Sequence, residues 1–299
     1  MILKQRLFDD ELSYLLQMSL RTQLTESENE AISMRIKGIN GERRFDEIVK
    51  KHLGSALVLN NLTFTVQKQI FQIDALIIMN SIIFIFEIKN LHYDIQYKDD
   101  RFFFMNDQPI DIMNIQRNRT IKLFKQLLKL NHIDLPFNYY STFVNPDYKV
   151  YGYTPLDNIV EYDAIKKIIR DNSNLEICDY DEYVAQKLLS LHINDEKFNF
   201  RKRISIEDLT MGVACHCHIA IYQKLSNRKF KCPACNKEVS CNDYLSKAID
   251  DIRLIYPMER LTVNLLKLWT TGLVSDEKIR LYLNQHYTIR KKGPFTYYR

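Results

Sequence analysis

Two β-prone runs with charged residues inside them constrain this 299-residue chain more than any other feature. Residues 70–79 read IFQIDALIIM and residues 81–89 read SIIFIFEIK. Both are rich in the β-branched and aromatic residues that favour strands. The pair Asn80-Ser81 between them is typical of a tight turn. We therefore expect a β-hairpin whose two strands each carry ionisable side chains.

Three of these charged residues indicate a metal site. Because side chains alternate between the two faces of a strand, Glu87 and Lys89 share one face of the second strand. The same alternation places Asp74 on the face of Gln72 and Leu76 in the first strand. Burying such charges without partners is very unfavourable, and a cation between Asp74 and Glu87 would remove that cost. Oxygen ligands of this kind suit Mg²⁺ or Mn²⁺. The structural alternative is a Glu87–Lys89 ion pair at a strand end.

Two polar residues on predicted helices point toward the same apolar interior. A glycine-bearing break at residues 38–41 precedes a helix, and Glu42 lies on its apolar stripe. Gln116 shares the stripe of Ile112 in the amphipathic helix predicted over residues 110–130. Simpler explanations are an acid placed favourably at a helix N-terminus and a satisfied core amide.

The order of these residues resembles the nuclease-related domain (NERD) family. The sequence reads G-E-R-R at 41–44, Q-I-D at 72–74 and F-E-I-K-N at 86–90, matching that family's G-E, Q-x-D and E-x-K-N motifs. The resemblance covers about residues 36–150 and implies a restriction-endonuclease-like fold of the PD-(D/E)xK superfamily. It implies that Asp74 and Glu87 are metal ligands and that Lys89 is the catalytic lysine. It also implies an additional acid of the site at Glu42 and a glutamine of the site at Gln116. The family often has an aromatic residue and a glycine next, whereas residues 91–94 read L-H-Y-D here, so the local turn differs.

Five of the six cysteines lie between residues 215 and 241, which in a cytosolic protein favours metal over disulfides. Cys232 and Cys235 have the two-residue spacing of a zinc knuckle. Cys215 with His218 keeps this spacing and is the favoured first half; Cys215 with Cys217 is the alternative. The family resemblance also supports position 218. Four protein ligands leave no open position, so the Zn²⁺ would be structural. A set of buried reduced thiols is the remaining interpretation.

The C-terminal tail has a pattern similar to a helix-turn-helix. Apolar spacing predicts a helix over residues 261–269 and a second one beginning near Ser275. A turn at residues 292–294 and an aromatic strand at 295–298 follow, as a wing would. A small packing or dimerisation module fits the same pattern.

Charge distribution points to a polyanionic partner. The net charge is only +5, but residues 201–235 contain seven Lys/Arg and two acids, and the last 16 residues contain four Lys/Arg and no acid. The apolar runs are too short to span a bilayer, and the N-terminal sequence does not resemble a secretory signal. We therefore expect a cytoplasmic protein that does not enter membranes.

The expected fold class is α/β, a restriction-endonuclease-like core in which helices flank a mixed sheet, with a small zinc-ribbon-like module and a helical, winged-helix-like tail. The predicted segments are an N-terminal helical segment at 1–35, a nuclease domain at 36–155, a helical connector at 156–205, a zinc-binding module at 206–243 and a C-terminal domain at 244–299.

The expected function is metal-dependent hydrolysis of phosphodiester bonds in nucleic acid, with DNA as the favoured substrate and defence or DNA processing as the setting. Related nucleases often cut two strands as dimers, so a homodimer is an expected state. The alternative function is a catalytically silent nucleic-acid-binding or regulatory protein that uses the nuclease fold and the zinc module.

Overall fold

The computed structural model describes most of the chain, namely residues 1–6, 10–174, 176–193, 204–292 and 295–299. The chain forms two compact units, each discontinuous in sequence. The first comprises Met1–Leu7 and Met34–Glu196, and the second comprises Phe8–Ser33 and Lys197–Arg299. The finer division into five segments stays a prediction.

The secondary structure is mixed throughout. The strands are β1 Ile2–Lys4, β2 Leu57–Val66, β3 Gln69–Met79, β4 Ile82–Lys89, β5 Ile95–Lys98, β6 Arg101–Phe104, β7 Phe137–Phe143, β8 Val150–Tyr151, β9 Ile159–Glu161, β10 Gln223–Lys224, β11 Lys229–Lys231, β12 Glu238–Ser240, β13 Ile289–Lys292 and β14 Phe295–Tyr298. The helices are α1 Asp10–Ser19, α2 Glu26–His52, α3 Asp111–Leu130, α4 Tyr162–Asn172, α5 Asp179–Leu191, α6 Cys241–Ile255, α7 Val263–Trp269 and α8 Asp276–His286. Because β1 lies within residues 1–35, that segment is not helical throughout.

A six-stranded mixed sheet organises the first unit, in the order β1-β2-β3-β4-β7-β9. Strands β2, β3 and β4 are antiparallel neighbours, whereas β7 runs parallel to both β4 and β9. The predicted turn between β3 and β4 is present. Asn80 and Ser81 both have positive φ, 52° and 54°, as a two-residue type I′ hairpin requires.

Helices cover both faces of this sheet. On one face, Phe45 of α2 and Ile165 of α4 pack with Phe86 of the sheet. On the other face, Leu123 of α3 and Leu188 of α5 belong to a second apolar layer. The mixed sheet flanked by helices that the sequence predicted is therefore confirmed.

The alternation of side chains between the two faces of β3 is interrupted near Asp74. Ile73 and Leu76 belong to the same core layer although three positions separate them, and Gln72 is exposed. The pairing of β2 with β3 is interrupted between Asn61 and Asp74. Asn61 has a left-handed backbone, with a φ of 50°. The prediction that Asp74 shares one face with both Gln72 and Leu76 is therefore wrong, because the alternation is interrupted between Ile73 and Leu76.

Helix α2 continues through the predicted break at residues 38–41, so that prediction is wrong as well. Gly41 instead permits a close approach. A Cβ built on Gly41 would lie 2.5 Å from the Cβ of Asn90, just beyond β4, whereas one on Gly38 would meet nothing within 4 Å. The glycine at 41 thus serves the contact between α2 and the end of β4.

The second unit has one hydrophobic core that includes both the cysteine-bearing segment and the C-terminal helices. Phe230 of β11 stacks on Tyr244 of α6 with ring centroids 3.7 Å apart. Arg21 and Asp251 form a fully buried ion pair at 3.0 Å. The Arg21 guanidinium also lies 4.6 Å above the ring of Trp269, the only tryptophan of the chain. In the described ranges, no helix has the length and apolarity needed to cross a membrane.

The two glycines of α2 give a matched test of the packing. Gly38→Ala is expected to stabilise the protein by about 0.5–1 kcal/mol, because alanine loses less backbone entropy in a helix. Gly41→Ala is expected to destabilise it by roughly 1–3 kcal/mol, because the added methyl overlaps Asn90. Urea denaturation monitored by circular dichroism measures both. Equal effects of the two substitutions would contradict the close approach at Gly41.

Candidate functional site

Two acidic residues lie where β3 and β4 separate. The ladder between these strands ends at the Ala75–Phe86 pair. Beyond it, the Ile88 N–H donates to Oδ2 of Asp74 at 2.8 Å, so a carboxylate accepts the next backbone hydrogen bond. Glu87 is only 3% exposed. The separation of the strands therefore brings two ionisable side chains into a largely dry part of the sheet.

Lys89 and Gln116 complete the immediate surroundings of Glu87. The Lys89 Nζ donates to Oε1 of Glu87 and to Oε1 of Gln116, each at 2.9 Å. The Gln116 amide nitrogen in turn donates to Glu87 Oε1. Ile112, expected on the same inward stripe, is 77% exposed, so that part of the α3 prediction is wrong. Gln116 reaches Glu87 from a half-buried position.

The electrostatics of the Asp74–Glu87 pair suit a divalent cation. Glu87 Oε2 is buried and has no hydrogen-bond partner among the described residues. Burial, followed by the charge of Asp74, raises the pKa of Glu87 to about 7, although Lys89 opposes this. Burial also raises the pKa of Asp74, against the charge of Lys89 and the Ile88 N–H. A divalent cation would satisfy the orphaned oxygen and favour both carboxylates in their charged form.

Glu42 lies near this pair but is engaged elsewhere. Its carboxylate is 3.1 Å from Nη1 of Arg6. Burial raises the pKa of Glu42, Arg6 lowers it, and Asp74 is a further charge that raises it. Within the described ranges, three or more candidate ligand atoms come within 4.8 Å of one another only at the four cysteines discussed below. Two carboxylates with water would be an ordinary Mg²⁺ environment, because Mg²⁺ retains several waters.

Arg6 is a site residue that the sequence did not predict. Its guanidinium donates to Glu42 and to Asp46 at 3.0–3.1 Å, to Oδ1 of Asn61 at 2.6 Å and to the Asp74 carbonyl at 2.7 Å. Its Nη2 is buried and has no hydrogen-bond partner in the part of the chain that the structure describes. Arg6 follows a three-residue strand and lies outside the family-like segment, so neither periodicity nor motif marks it.

Tyr139 is a second unpredicted neighbour. It pairs with Ile85 across β7 and β4, and its hydroxyl is buried with no partner among the described residues. Burial raises the pKa of Tyr139, and the charges of Glu87 and Asp74 raise it further. Only the parallel pairing of β4 with β7 brings this ring to the acids, and strand order could not be deduced from local pattern.

Four cysteines form the second candidate site. The sulfurs of Cys215, Cys217, Cys232 and Cys235 all lie within 4.8 Å of one another. The Cys215–Cys235 and Cys217–Cys232 sulfurs are 3.6 and 3.7 Å apart. Tetrahedral zinc with Zn–S bonds of about 2.3 Å would separate its sulfurs by about 3.8 Å, so the set fits this ion. All four positions are used, which suits a structural role.

The fourth ligand position differs from the favoured expectation. His218 is not in the four-sulfur group, and Cys217 takes the place assigned to it. Residue 218 closes a turn in which its N–H donates to the Cys215 carbonyl and its φ is 57°. The Cys217 N–H meanwhile donates to the Cys215 sulfur at 3.5 Å. The tight turn thus lets a one-residue spacing bring both sulfurs to one point, and we propose the Cys₄ alternative.

Ionisation of Glu87 is expected to destabilise the protein in Mg²⁺-free buffer. Because folding raises its pKa from 4.5 to about 7, the stability of the neutral acid is complete below pH 4.5 and is lost as the pH rises through about 7. The loss is at most about 3 kcal/mol. Urea denaturation across this range should show the loss in wild type but not in Glu87→Gln. The exposed Glu47→Gln is the control, and an identical pH profile in wild type and Glu87→Gln would contradict the assignment.

Substitution of the cysteines and of His218 should separate the two zinc sets. Purified wild type and His218→Ala are expected to contain zinc, whereas Cys217→Ala is expected to lose it, because three sulfurs leave a position open. Elemental analysis measures the zinc content. Cys215 and Cys232 are both fully buried in the second unit, so zinc loss should also lower its melting temperature. Zinc retained by Cys217→Ala and lost by His218→Ala would restore the Cys₃His set.

A comparison with known families gives a match to part of the first unit. Residues 37–145 match the family described as NERD, nuclease-related domain. The matched segment runs from α2 to just beyond β7 and contains Glu42, Asp74, Glu87, Lys89 and Gln116. No curated protein and no solved structure matches the chain significantly. The chain therefore contains a nuclease-related domain at residues 37–145.

Proposed function

We propose that this protein hydrolyses phosphodiester bonds of DNA with Mg²⁺ or Mn²⁺ held by Asp74 and Glu87. The observation that carries the proposal is Glu87 Oε2, which is buried where β3 and β4 separate, has no hydrogen-bond partner among the described residues and lies within the influence of the Asp74 charge. A buried carboxylate oxygen without a partner is unfavourable, and a cation bound there would satisfy it. The match to a nuclease-related domain supports a nucleic-acid substrate.

A bound divalent ion supplies an activated water and neutralises charge that develops on the phosphate. Lys89 is the residue placed to assist. An ammonium has three N–H groups, and two are used by Glu87 and Gln116. These two hydrogen bonds fix the direction of the third N–H, which can donate to the attacking water or to a phosphate oxygen. Lys89 therefore orients the reacting groups in this proposal.

Gln116 acts as a positioning residue. Its amide accepts from Lys89 and donates to Glu87, so one side chain sets the orientation of both. Glu42 and Arg6 form the adjacent charged pair, and Arg6 also donates to the Asp74 carbonyl. Glu42 balances the charge of Arg6 and adds negative potential beside Asp74. This negative potential favours the cation held by Asp74 and Glu87.

The remaining assignments are proposals as well. The basic C-terminal segment supports a polyanionic substrate, and DNA stays the favoured one as a prediction from sequence. Zinc at the four cysteines is a structural ion that holds the second unit together. A homodimer, a cytoplasmic location and a role in defence or DNA processing stay predictions from sequence.

A nuclease assay with matched variants tests the proposal. Wild type is expected to cleave DNA with Mg²⁺ or Mn²⁺ and not without a divalent ion. Asp74→Asn and Lys89→Met are expected to lose activity by about 100-fold or more, because each removes a group that acts in the reaction. Lys125→Met, which removes an exposed lysine of α3, is the control and should cleave as wild type does.

Two outcomes would contradict the proposal. Undiminished cleavage by Asp74→Asn would exclude the assigned site. DNA binding by wild type without cleavage under any divalent ion would favour the silent binding protein instead. Circular dichroism of each variant checks that the fold is intact.

A further inference from the structure

We infer that residues 241–299 form a winged-helix module that binds duplex DNA through the outer face of α8 and the β13–β14 hairpin. This inference deepens the proposed function and rests on it for the identity of the nucleic acid. The surface lies in the second unit and outside the family match at residues 37–145.

The order of elements is that of a winged helix. Helix α6 is followed by a short extended residue, Leu261, then by α7, α8 and the antiparallel hairpin β13–β14. Leu261 pairs with Tyr298 of the last strand, and the Tyr298 N–H donates to the Leu261 carbonyl at 2.9 Å. The hairpin is thus joined to the extended residue that precedes α7, which a helical tail with a loose C-terminal extension would not require.

The turn between α7 and α8 is tight. Thr271 and Gly272 both have positive φ, 52° and 69°, and Ser275 precedes α8 as its N-cap residue. Trp269 at the end of α7 and Ile279 in α8 are both fully buried in the same core. The two helices are therefore held in a fixed relation, as a helix-turn-helix requires.

Helix α8 has one buried face and one exposed face. Ile279, Tyr282 and Leu283 are buried. The opposite face is exposed and carries Glu277, Arg280, Leu281, Asn284 and Gln285. Arginine, asparagine and glutamine are the side chains that hydrogen-bond base edges, and a major groove admits an α-helix. An apolar residue among them, Leu281 at 59% exposure, suits a thymine methyl group.

Charge complementarity selects a nucleic acid as the occupant. Residues 241–299 contain ten Lys/Arg and six Asp/Glu, a net charge of +4. One of the six acids, Asp276, pairs with Lys267 at 2.9 Å. Arg290 and Lys291 of β13 are exposed. Basic residues on a hairpin beside a recognition helix are placed to contact backbone phosphates.

The cysteine-bearing hairpin supports α8 from the same unit. The Lys278 Nζ donates to the Asn227 carbonyl at 2.8 Å, and the Lys224 Nζ donates to the Leu273 carbonyl at 3.0 Å. Leu273, just before α8, and Lys278, in its first turn, are therefore both hydrogen-bonded to the loop and strand between the two cysteine pairs. A structural zinc ion at the four cysteines would therefore also hold the recognition helix in position.

A binding experiment in a cleavage-deficient background tests the inference. Full-length protein carrying Asp74→Asn is titrated into a fluorescently labelled DNA duplex of random sequence, and anisotropy is measured over a range of salt concentrations. The double variant Arg290→Ala/Lys291→Ala is expected to weaken binding by about tenfold and to reduce the salt slope by about 2, one for each lost phosphate contact. Arg280→Ala/Gln285→Ala on α8 is expected to weaken duplex binding as well.

The control is Lys50→Ala/Lys51→Ala, which removes two exposed lysines at the end of α2 in the first unit and should bind like the parent. Unchanged binding by both the α8 and β13 variants would overturn the inference. Single-stranded DNA or duplex RNA bound more tightly than duplex DNA would also overturn it. Because only binding is measured, failure of the nuclease proposal would not change these results. Trp269 fluorescence verifies that the second unit of each variant is folded.

Discussion

The burial of two carboxylates at the separation of β3 and β4 is the constraint on which the first unit depends. Asp74 takes over a backbone hydrogen bond from Ile88, and Glu87 keeps one oxygen without a partner among the described residues. Such an arrangement is costly in a dry environment unless other charges or a metal offset it. Lys89 and Gln116 satisfy the other Glu87 oxygen. We propose that a divalent cation offsets the remaining cost.

The second unit solves a different problem, that of holding several short elements together. Its strands are two to four residues long, and such pieces are not stable alone. Two polar centres stabilise them: the four-sulfur cluster and the buried Arg21–Asp251 pair. Removal of one partner from a buried pair typically costs about 3–5 kcal/mol, so this ion pair commits the helices to one arrangement. A rigid recognition surface is the functional consequence we infer.

Local sequence pattern predicted the parts of the site that follow from short-range rules. The Asn80-Ser81 turn, the strands on either side and the shared face of Glu87 and Lys89 all depend on backbone preference and period-two alternation. The face of Asp74 was wrong because the alternation shifts opposite Asn61, whose left-handed backbone lies in another strand. A periodicity argument cannot detect such a shift, since its cause is not in the strand being examined.

By itself, the sequence determined the α/β class, the carboxylate–lysine set and the cysteine cluster, because each follows from residue types at short spacing. Tertiary structure decided which atoms meet. It brings Arg6 to Glu42 and Asp74 from outside the family-like segment, through the pairing of β1 with β2. It also places Cys217 rather than His218 among the sulfurs, because a turn closed by residue 218 gathers them. Contacts between residues distant in sequence depend on strand order and turn geometry, which local composition does not encode.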